Sequence, residues 1–142
     1  MSTLAPFHLA VPVYDLEKCR HFYREIMGCS EGRSSDKWVD FNFFGHQLVI
    51  HQVPAVAKIA DVPTNPVDGK NVPVPHFGVV LNWNDWEVIA ARLIAQKIDF
   101  VIEPHIRFRG EVGEQATLFF MDPDGNALEF KAFQDLSQLL AK

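Results

Sequence analysis

The first segment with a clear hydrophobic pattern is FHLAVPV, residues 7–13, in which bulky and small or polar positions alternate. Phe7, Leu9 and Val11 are bulky, and His8 stands between the first two of them. A period of two is typical of a β-strand with one bulky face and one small or polar face. The pattern therefore predicts a strand whose bulky face is buried and whose opposite face carries His8.

A helix and further strands are predicted after this first strand. Asp15 is typical of a helix N-cap, apolar residues then follow at helical spacing, and Gly28 stands where a helix C′ residue would. Two aromatic-rich strands follow at about 37–44 and 47–52. The next segment, 53–75, is rich in Pro and turn residues and indicates a linker with a helical turn near its start.

The same plan then starts again in the second half of the chain. HFGVVL, residues 76–81, alternates like the first strand and opens with His76. Asn84 and Glu87 have the spacing of a capping box at the start of a helix, and more strands follow. We interpret the chain as a degenerate internal repeat of strand, helix and three strands, of the α+β class. The predicted parts are module one at 6–52, the linker at 53–75, module two at 76–133 and a short closing helix at 134–142.

Composition and charge narrow the class of protein. The 142 residues are 48% hydrophobic and 22% charged, which suits one globular domain. The net charge of −5 argues against nucleic-acid binding. No apolar run has the length of a membrane span, no signal peptide is recognised, and Cys19 and Cys29 lack metal-motif spacing. We expect a cytoplasmic protein that binds neither membrane nor nucleic acid.

Four residues take similar places in the two halves. His8 and His76 lie on the small face of the first strand of each half, while His51 and Glu129 lie on the last strand of each half, at positions that we expect to correspond. Imidazole and carboxylate ligands suit Zn, Ni, Co, Mn or Fe(II). Any of these residues alone is more often an ordinary polar strand residue, so the prediction of a metal site rests on the coincidence.

Other residues are candidates for substrate binding. Strand alternation places some of them on the face opposite the bulky residues, where they either line a pocket or are ordinary strand residues. The run 105–114, with two Gly, is either a mobile lid whose arginines bind a substrate carboxylate or a solvated loop. The candidates are Asp40, Asn42, Gln115 and Phe119 on strands, and Arg107 and Arg109 in the run.

The two ends of the chain resemble a known superfamily. HLAVPVYDLEKCRHFYREIMG is similar to the opening of a vicinal oxygen chelate protein, with its first-strand His and Asp-Leu helix start, and MDPDGNALEF resembles the matching close with its Glu ligand. The superfamily holds glyoxalase I, extradiol dioxygenases, bleomycin and fosfomycin resistance proteins and methylmalonyl-CoA epimerase. The resemblance covers about 6–133 and is nearest to a small extradiol-dioxygenase-like group.

The resemblance implies a fold and a ligand set. Two βαβββ modules would form an open, U-shaped, eight-stranded barrel around a divalent metal. His8, His76 and Glu129 match the metal ligands of the superfamily. His51 matches a position that holds Glu or Gln in isomerases and is unligated in extradiol dioxygenases, so it is either a fourth ligand or an acid-base residue together with Glu129.

The resemblance also implies a function, with alternatives. We expect a ring-cleaving, extradiol-type dioxygenase that uses Fe(II) or Mn(II), with Zn, Ni or Co as other options, on a small substrate with two neighbouring oxygens. One alternative is a glyoxalase- or epimerase-type isomerase or lyase. Another is a metal-free binding protein of the bleomycin-resistance type. We expect a homodimer, because open sheets leave edges that need cover.

Overall fold

The computed structural model describes residues 4–58 and 61–142. The chain divides into two compact units. Unit 1 comprises the described residues of 1–60 together with Asp122–Asn126, and unit 2 comprises Asp61–Met121 and Ala127–Lys142. Each unit contains one four-stranded sheet, and each such sheet mixes parallel and antiparallel pairs.

Unit 1 has the order of elements that the sequence pattern predicts. The elements are β1 (His8–Val13), α1 (Leu16–His21), a π-helical turn (Phe22–Ile26), β2 (Ser30–Ser34), β3 (Trp38–Phe43), β4 (His46–Gln52) and a 3-10 turn (Ala55–Ala57). The sheet order is β1-β4-β3-β2, with β1 parallel to β4 and the other pairs antiparallel.

The two faces of β1 differ as alternation predicts. Val11 and Val13 are buried, whereas His8 is exposed on the other face. Phe7, which we expected on the buried face, is 65% exposed and lies just before the strand. The helix begins after Asp15 as predicted, with the Asp15 side chain accepting a hydrogen bond from the Lys18 N–H.

The turn Asp122–Asn126 belongs to unit 1 and stabilises the start of its helix. Asp124 Oδ2 accepts hydrogen bonds from the backbone N–H groups of Tyr14, at 2.7 Å, and Asp15, at 2.9 Å. Burial alone would raise the pKa of Asp124, but these hydrogen bonds outweigh it and lower the pKa. Asp122 accepts a hydrogen bond from the buried Tyr23 hydroxyl at 2.8 Å. The acidic turn is therefore bonded both to the residues just before α1 and to the π-helical turn that follows it.

Unit 2 repeats this plan after an added hairpin. The elements are β5 (Thr64–Val67), β6 (Lys70–Pro73), β7 (Val80–Leu81), α2 (Trp83–Ala95), β8 (Phe100–Arg107), β9 (Gln115–Met121), β10 (Ala127–Phe133) and a 3-10 turn (Leu136–Gln138). The order of the main sheet is β7-β10-β9-β8, again with the first strand parallel to the last.

Several predicted boundaries in unit 2 are wrong. The strand expected at 76–81 is short: Phe77 forms an isolated bridge to Leu128 before β7 begins. Helix α2 starts earlier than predicted, because Asn82 rather than Asn84 is the N-cap and accepts a hydrogen bond from the Asp85 N–H.

The two ends of unit 2 also differ from prediction. The segment read only as a linker contains the β5–β6 hairpin, and the closing helix expected at 134–142 is a 3-10 turn at Leu136–Gln138. The fold class and the two strand-helix-three-strand modules are confirmed. In the part of the chain that the structure describes, neither α-helix has the length and apolar character needed to cross a membrane.

Candidate metal centre

His76 and Glu129 are brought together by the strand pairing of unit 2. The Phe77 N–H donates to the Ala127 carbonyl, and the Glu129 N–H donates to the Phe77 carbonyl at 2.8 Å, so the two segments run side by side. The Nε2 atom of His76 lies 3.6 Å from Oε2 of Glu129. Two ligand atoms that each lie about 2.1 Å from one metal ion have a separation in this range.

A backbone carbonyl fixes the orientation of His76. Its Nδ1 lies 2.8 Å from the Pro73 carbonyl oxygen, which can only accept, so Nδ1 carries the proton and Nε2 carries the lone pair. The imidazole ring also packs edge-on against Phe119, with ring centroids 4.9 Å apart. A ligating His is usually held in this way by a hydrogen bond to its other nitrogen.

The carboxylate of Glu129 is partly buried and has polar neighbours. Its side chain is 11% exposed, and Lys131 Nζ lies 3.2 Å from Oε1. The Thr117 hydroxyl lies 3.5 Å from the same oxygen. Neither Thr117 nor Lys131 stands out in the sequence as a partner of Glu129, although strand alternation places Lys131 on the same face.

Gly78 allows the backbone of β10 to approach this closely. A Cβ atom built on Gly78 would lie 1.6 Å from the Glu129 carbonyl oxygen. No side chain fits at that distance, so glycine is required beside the His76–Glu129 pair.

In unit 1, two successive hydrogen bonds between side chains orient His8. Its Nδ1 lies 2.8 Å from Gln47 Oε1, and Gln47 Nε2 lies 3.4 Å from Asp40 Oδ2. The carboxylate of Asp40 can only accept, so the Gln47 amide turns its oxygen toward His8. His8 then carries its proton on Nδ1 and its lone pair on Nε2, as His76 does.

The strand registers correct the predicted match between His51 and Glu129. In unit 1, His8 pairs with Gln47, Ala10 with Val49 and Pro12 with His51. In unit 2, Phe77 pairs with Leu128, so the residue two positions after His76 pairs with Glu129.

The residue two positions after His8 is Ala10, so Val49 is the counterpart of Glu129, and the expected correspondence of His51 is wrong. His51 lies level with Pro12, about 13 Å along the strand from the level of His8. It is exposed, whereas Val49 is buried.

Within 4–58 and 61–142, no group of three or more His, Cys, Asp or Glu side chains is arranged to hold a metal ion. The chemistry of the candidate ligands nevertheless suits a divalent ion. Both His8 and His76 have Nδ1 bonded and a lone pair on Nε2, and Glu129 adds a carboxylate. This donor chemistry suits the borderline and hard metals that imidazole and carboxylate bind.

Arg107 lies in a strand rather than in a lid or a loop, and its role in substrate binding stays a prediction. Residues up to Arg107 belong to β8, and its Nε lies 2.8 Å from Asp68 Oδ2 in the β5–β6 hairpin. His105 contacts the same oxygen at 3.2 Å. Arg109 lies beyond the strand and is exposed. The Asp68–Gly69 pair is a two-residue hairpin signal, so the β5–β6 hairpin, though not its contact with Arg107, could have been predicted from the sequence.

The other candidates have varied environments. Asn42 accepts a hydrogen bond from the Gly45 N–H and so caps the β3–β4 turn. Asp40 supports Gln47. Phe119 is fully buried beside His76, and Gln115 is 7% exposed at the start of β9.

Comparison with known proteins shows which family the chain matches. Residues 5–130 match the family described as the Glyoxalase/Bleomycin resistance protein/Dioxygenase superfamily. No curated protein sequence matches the chain significantly.

Solved structures are similar to the chain over nearly its whole length. The crystal structure of a glyoxalase/bleomycin resistance protein/dioxygenase from Alicyclobacillus acidocaldarius is 29% identical, with a TM-score of 0.77, over 95% of this chain and 96% of that chain. The fosfomycin resistance protein FosX from Listeria monocytogenes is 19% identical, with a TM-score of 0.64, over 98% and 99%. Lactoylglutathione lyase from Agrobacterium tumefaciens is 19% identical, with a TM-score of 0.63, over 100% of each chain. At these identities the last two indicate the fold alone.

Proposed function

Because the chain belongs to the Glyoxalase/Bleomycin resistance protein/Dioxygenase superfamily, we propose that it is a metal-dependent, extradiol-type dioxygenase. Its substrate is a small molecule with two neighbouring oxygens on an aromatic ring. The observation that carries this proposal is the buried Val49 at the counterpart of Glu129, which leaves two imidazoles and one carboxylate as the natural ligand set. Two His and one carboxylate with open positions is the ligand set of non-haem Fe(II) oxygenases.

The proposed ligands are His8, His76 and Glu129, and the proposed metal is Fe(II) or Mn(II). When bound, such an ion supplies a Lewis acid with open positions for two neighbouring substrate oxygens and for O₂. The protein supplies the orientation of each ligand. Gln47 holds His8 and the Pro73 carbonyl holds His76, so both present Nε2.

The surroundings of the carboxylate also support the proposal. Lys131 Nζ lies 3.2 Å from Oε1 of Glu129, which leaves Oε2, the oxygen nearer His76, free of this contact. Phe119 packs edge-on against the His76 ring and helps to hold it in place. His51 lies on the same sheet face as His8 but about 13 Å further along the strand, so its proposed acid-base role requires a substrate that extends that far from the metal.

Oxygen uptake tests this proposal. Protein loaded anaerobically with Fe(II) or Mn(II) is mixed with a panel of catechols, and O₂ consumption and ring-cleavage absorbance are recorded together. We expect stoichiometric uptake of O₂ with at least one catechol, and none with His8→Ala. Conversion of a hemithioacetal without O₂, or ligand binding that is indifferent to metal, would contradict the proposal and favour an isomerase or a sequestering protein.

The proposal includes a homodimer. Each four-stranded sheet of the described residues ends in edge strands, β1 and β2 in unit 1 and β7 and β8 in unit 2. Uncovered edges favour association with a second copy. Sedimentation equilibrium is expected to give twice the chain mass of 16.1 kDa, and a value of one chain mass would refute this part.

A further inference from the structure

A cavity of about 370 Å³ lies in unit 2, where β9 begins and β10 ends. This volume is within the range of small-molecule sites. Its wall contains bulky apolar side chains from the loop after β8, from β10 and from the C-terminal turn. Its polar groups come from β9, from β10 and from the C-terminal residues, which include a second lysine, Lys142. The main lining residues are Phe108, Val112, Phe133, Leu139, Gln115 and Lys131.

Lys131 connects this cavity to the candidate metal ligands. In the β9–β10 register, Lys131 pairs with Thr117, and this pair stands between Gln115–Phe133 on one side and Phe119–Glu129 on the other. The Lys131 ammonium contacts Glu129 at 3.2 Å and also lines the cavity. A molecule in the cavity therefore has a cation at the end nearest Glu129.

One polar atom of Gln115, a residue of the cavity wall, lacks a hydrogen-bond partner among the described residues. Gln115 is 7% exposed, and its Nε2 donates to the Gly113 carbonyl at 3.3 Å, which sets the amide orientation. Its Oε1 has no hydrogen-bond partner among the described residues. Buried polar atoms without partners are rare in folded proteins, and this one lies just beneath the cavity wall.

We propose that this cavity is a substrate subsite that binds the apolar body of an amphipathic anion, with Lys131 binding its negatively charged group. This identification of the bound molecule as the substrate rests on the proposed function. The Lys131 ammonium has three donors, and its contact with Glu129 at 3.2 Å uses one of them. The other donors are available for a carboxylate or a similar anion on the substrate, and the apolar walls select an aromatic or branched body.

A matched pair of probes tests the subsite on the metal-free full-length chain. We use 3-phenylpropionate and its neutral counterpart 3-phenylpropanol, with binding followed by NMR titration. We expect the carboxylate to bind about tenfold more tightly, and Lys131→Gln to remove that preference while leaving the neutral probe unchanged. Lys70→Gln is the control, because Lys70 is an exposed lysine of the same unit outside the cavity wall.

A second variant tests the cavity itself. Val112 is 67% exposed in a loop, so Val112→Trp is compatible with folding, and the added indole is expected to block both probes. Equal binding of the two probes, the same response in Lys131→Gln and Lys70→Gln, or undiminished binding in Val112→Trp would overturn the inference.

The result is distinguishable from failure of the proposed reaction. Metal content is measured on the same proteins, and Lys131→Gln is expected to keep the wild-type content. If the probes bind as described but no catechol consumes O₂, the subsite stands and the reaction assignment falls. If O₂ is consumed but the probes show no charge preference, the subsite falls and the reaction stands.

Discussion

The two units share one strand plan but differ at the position beside the first histidine. In each, a His at the start of the plan lies next to the last strand. In unit 2 that strand supplies Glu129, whereas in unit 1 the counterpart is the apolar Val49. The comparison teaches that the repeat preserves the imidazole in both halves and the carboxylate in one, which favours three ligands over four.

The two histidines also differ in what orients them. His76 donates to the main-chain carbonyl of Pro73, which no substitution removes directly. His8 donates to the side chain of Gln47, which Asp40 supports in turn. Unit 1 is therefore the half whose ligand orientation can be tested by substitution.

The largest effect on stability is expected when Gly78 of unit 2 is replaced by alanine, the residue at the corresponding position of unit 1. Ala10 is the counterpart of Gly78, and Gly78→Ala places a Cβ 1.6 Å from the Glu129 carbonyl oxygen. We expect a loss of about 3 kcal/mol in the free energy of unfolding, measured by denaturant titration. Gly32→Ala is the control, since its Cβ would meet Asp40 Cβ at 3.4 Å. Equal effects of the two would show that the close approach in unit 2 is unimportant.

Removing the carboxylate makes unit 2 resemble unit 1. Glu129→Gln is expected to weaken metal binding by at least about 100-fold, because loss of a mere outer-shell partner already costs about 10- to 100-fold. Competition with a chromophoric chelator measures the affinity. Glu103→Gln, an exposed residue on β8, serves as the control and should match wild type. An unchanged affinity in Glu129→Gln would remove the distinction between the units.

The acidic turn makes the stability of unit 1 sensitive to acid. Asp124 has a lowered pKa in the folded state, so its contribution to stability is present above the unfolded value near 3.9 and is lost as the pH falls through the folded value. Asp124→Asn is expected to reduce stability by about 1–2 kcal/mol at pH 7. The gap to wild type should narrow below about pH 4.

Chemical unfolding at several pH values measures this gap. Asp36→Asn, an exposed turn residue of the same unit, is the control. A gap between Asp124→Asn and wild type that stays constant down to acidic pH would show that the turn does not act through its charge.

The smallest effect is expected at the residue that orients His8. Gln47→Met keeps the size of the side chain but removes the acceptor, and we expect metal affinity to fall about tenfold. Rescue by Gln47→Glu, which restores an acceptor, would distinguish orientation from packing. If Gln47→Met binds metal as wild type does, His8 is not oriented through this residue.

Much of the fold is predictable from sequence because periodicity reports which face is buried. The alternation around His8 and the cap at Asp15 predict β1 and α1 correctly. The hairpin around Asp68 is missed because the many Pro residues of 53–75 favour a linker over strands, although Asp68–Gly69 is a hairpin signal.

The candidate site is less predictable because the register of one strand against another leaves little mark on the sequence. His51 and Glu129 are both polar residues of a last strand, and alternation cannot tell a shift of two residues from none. Only the pairing of Ala10 with Val49 reveals the shift. The contact of Arg107 with Asp68 likewise joins residues far apart in sequence, so no local sequence pattern predicts it.

The most direct test of the account is the metal content of four variants purified with the same Fe(II) or Mn(II) loading. His8→Ala, His76→Ala and Glu129→Gln are each expected to lose bound metal, and His51→Ala is expected to retain the wild-type content. Inductively coupled plasma mass spectrometry gives metal per chain, and circular dichroism confirms that each variant is folded. Loss of metal in His51→Ala, or wild-type content in any of the other three, would contradict the three-ligand account.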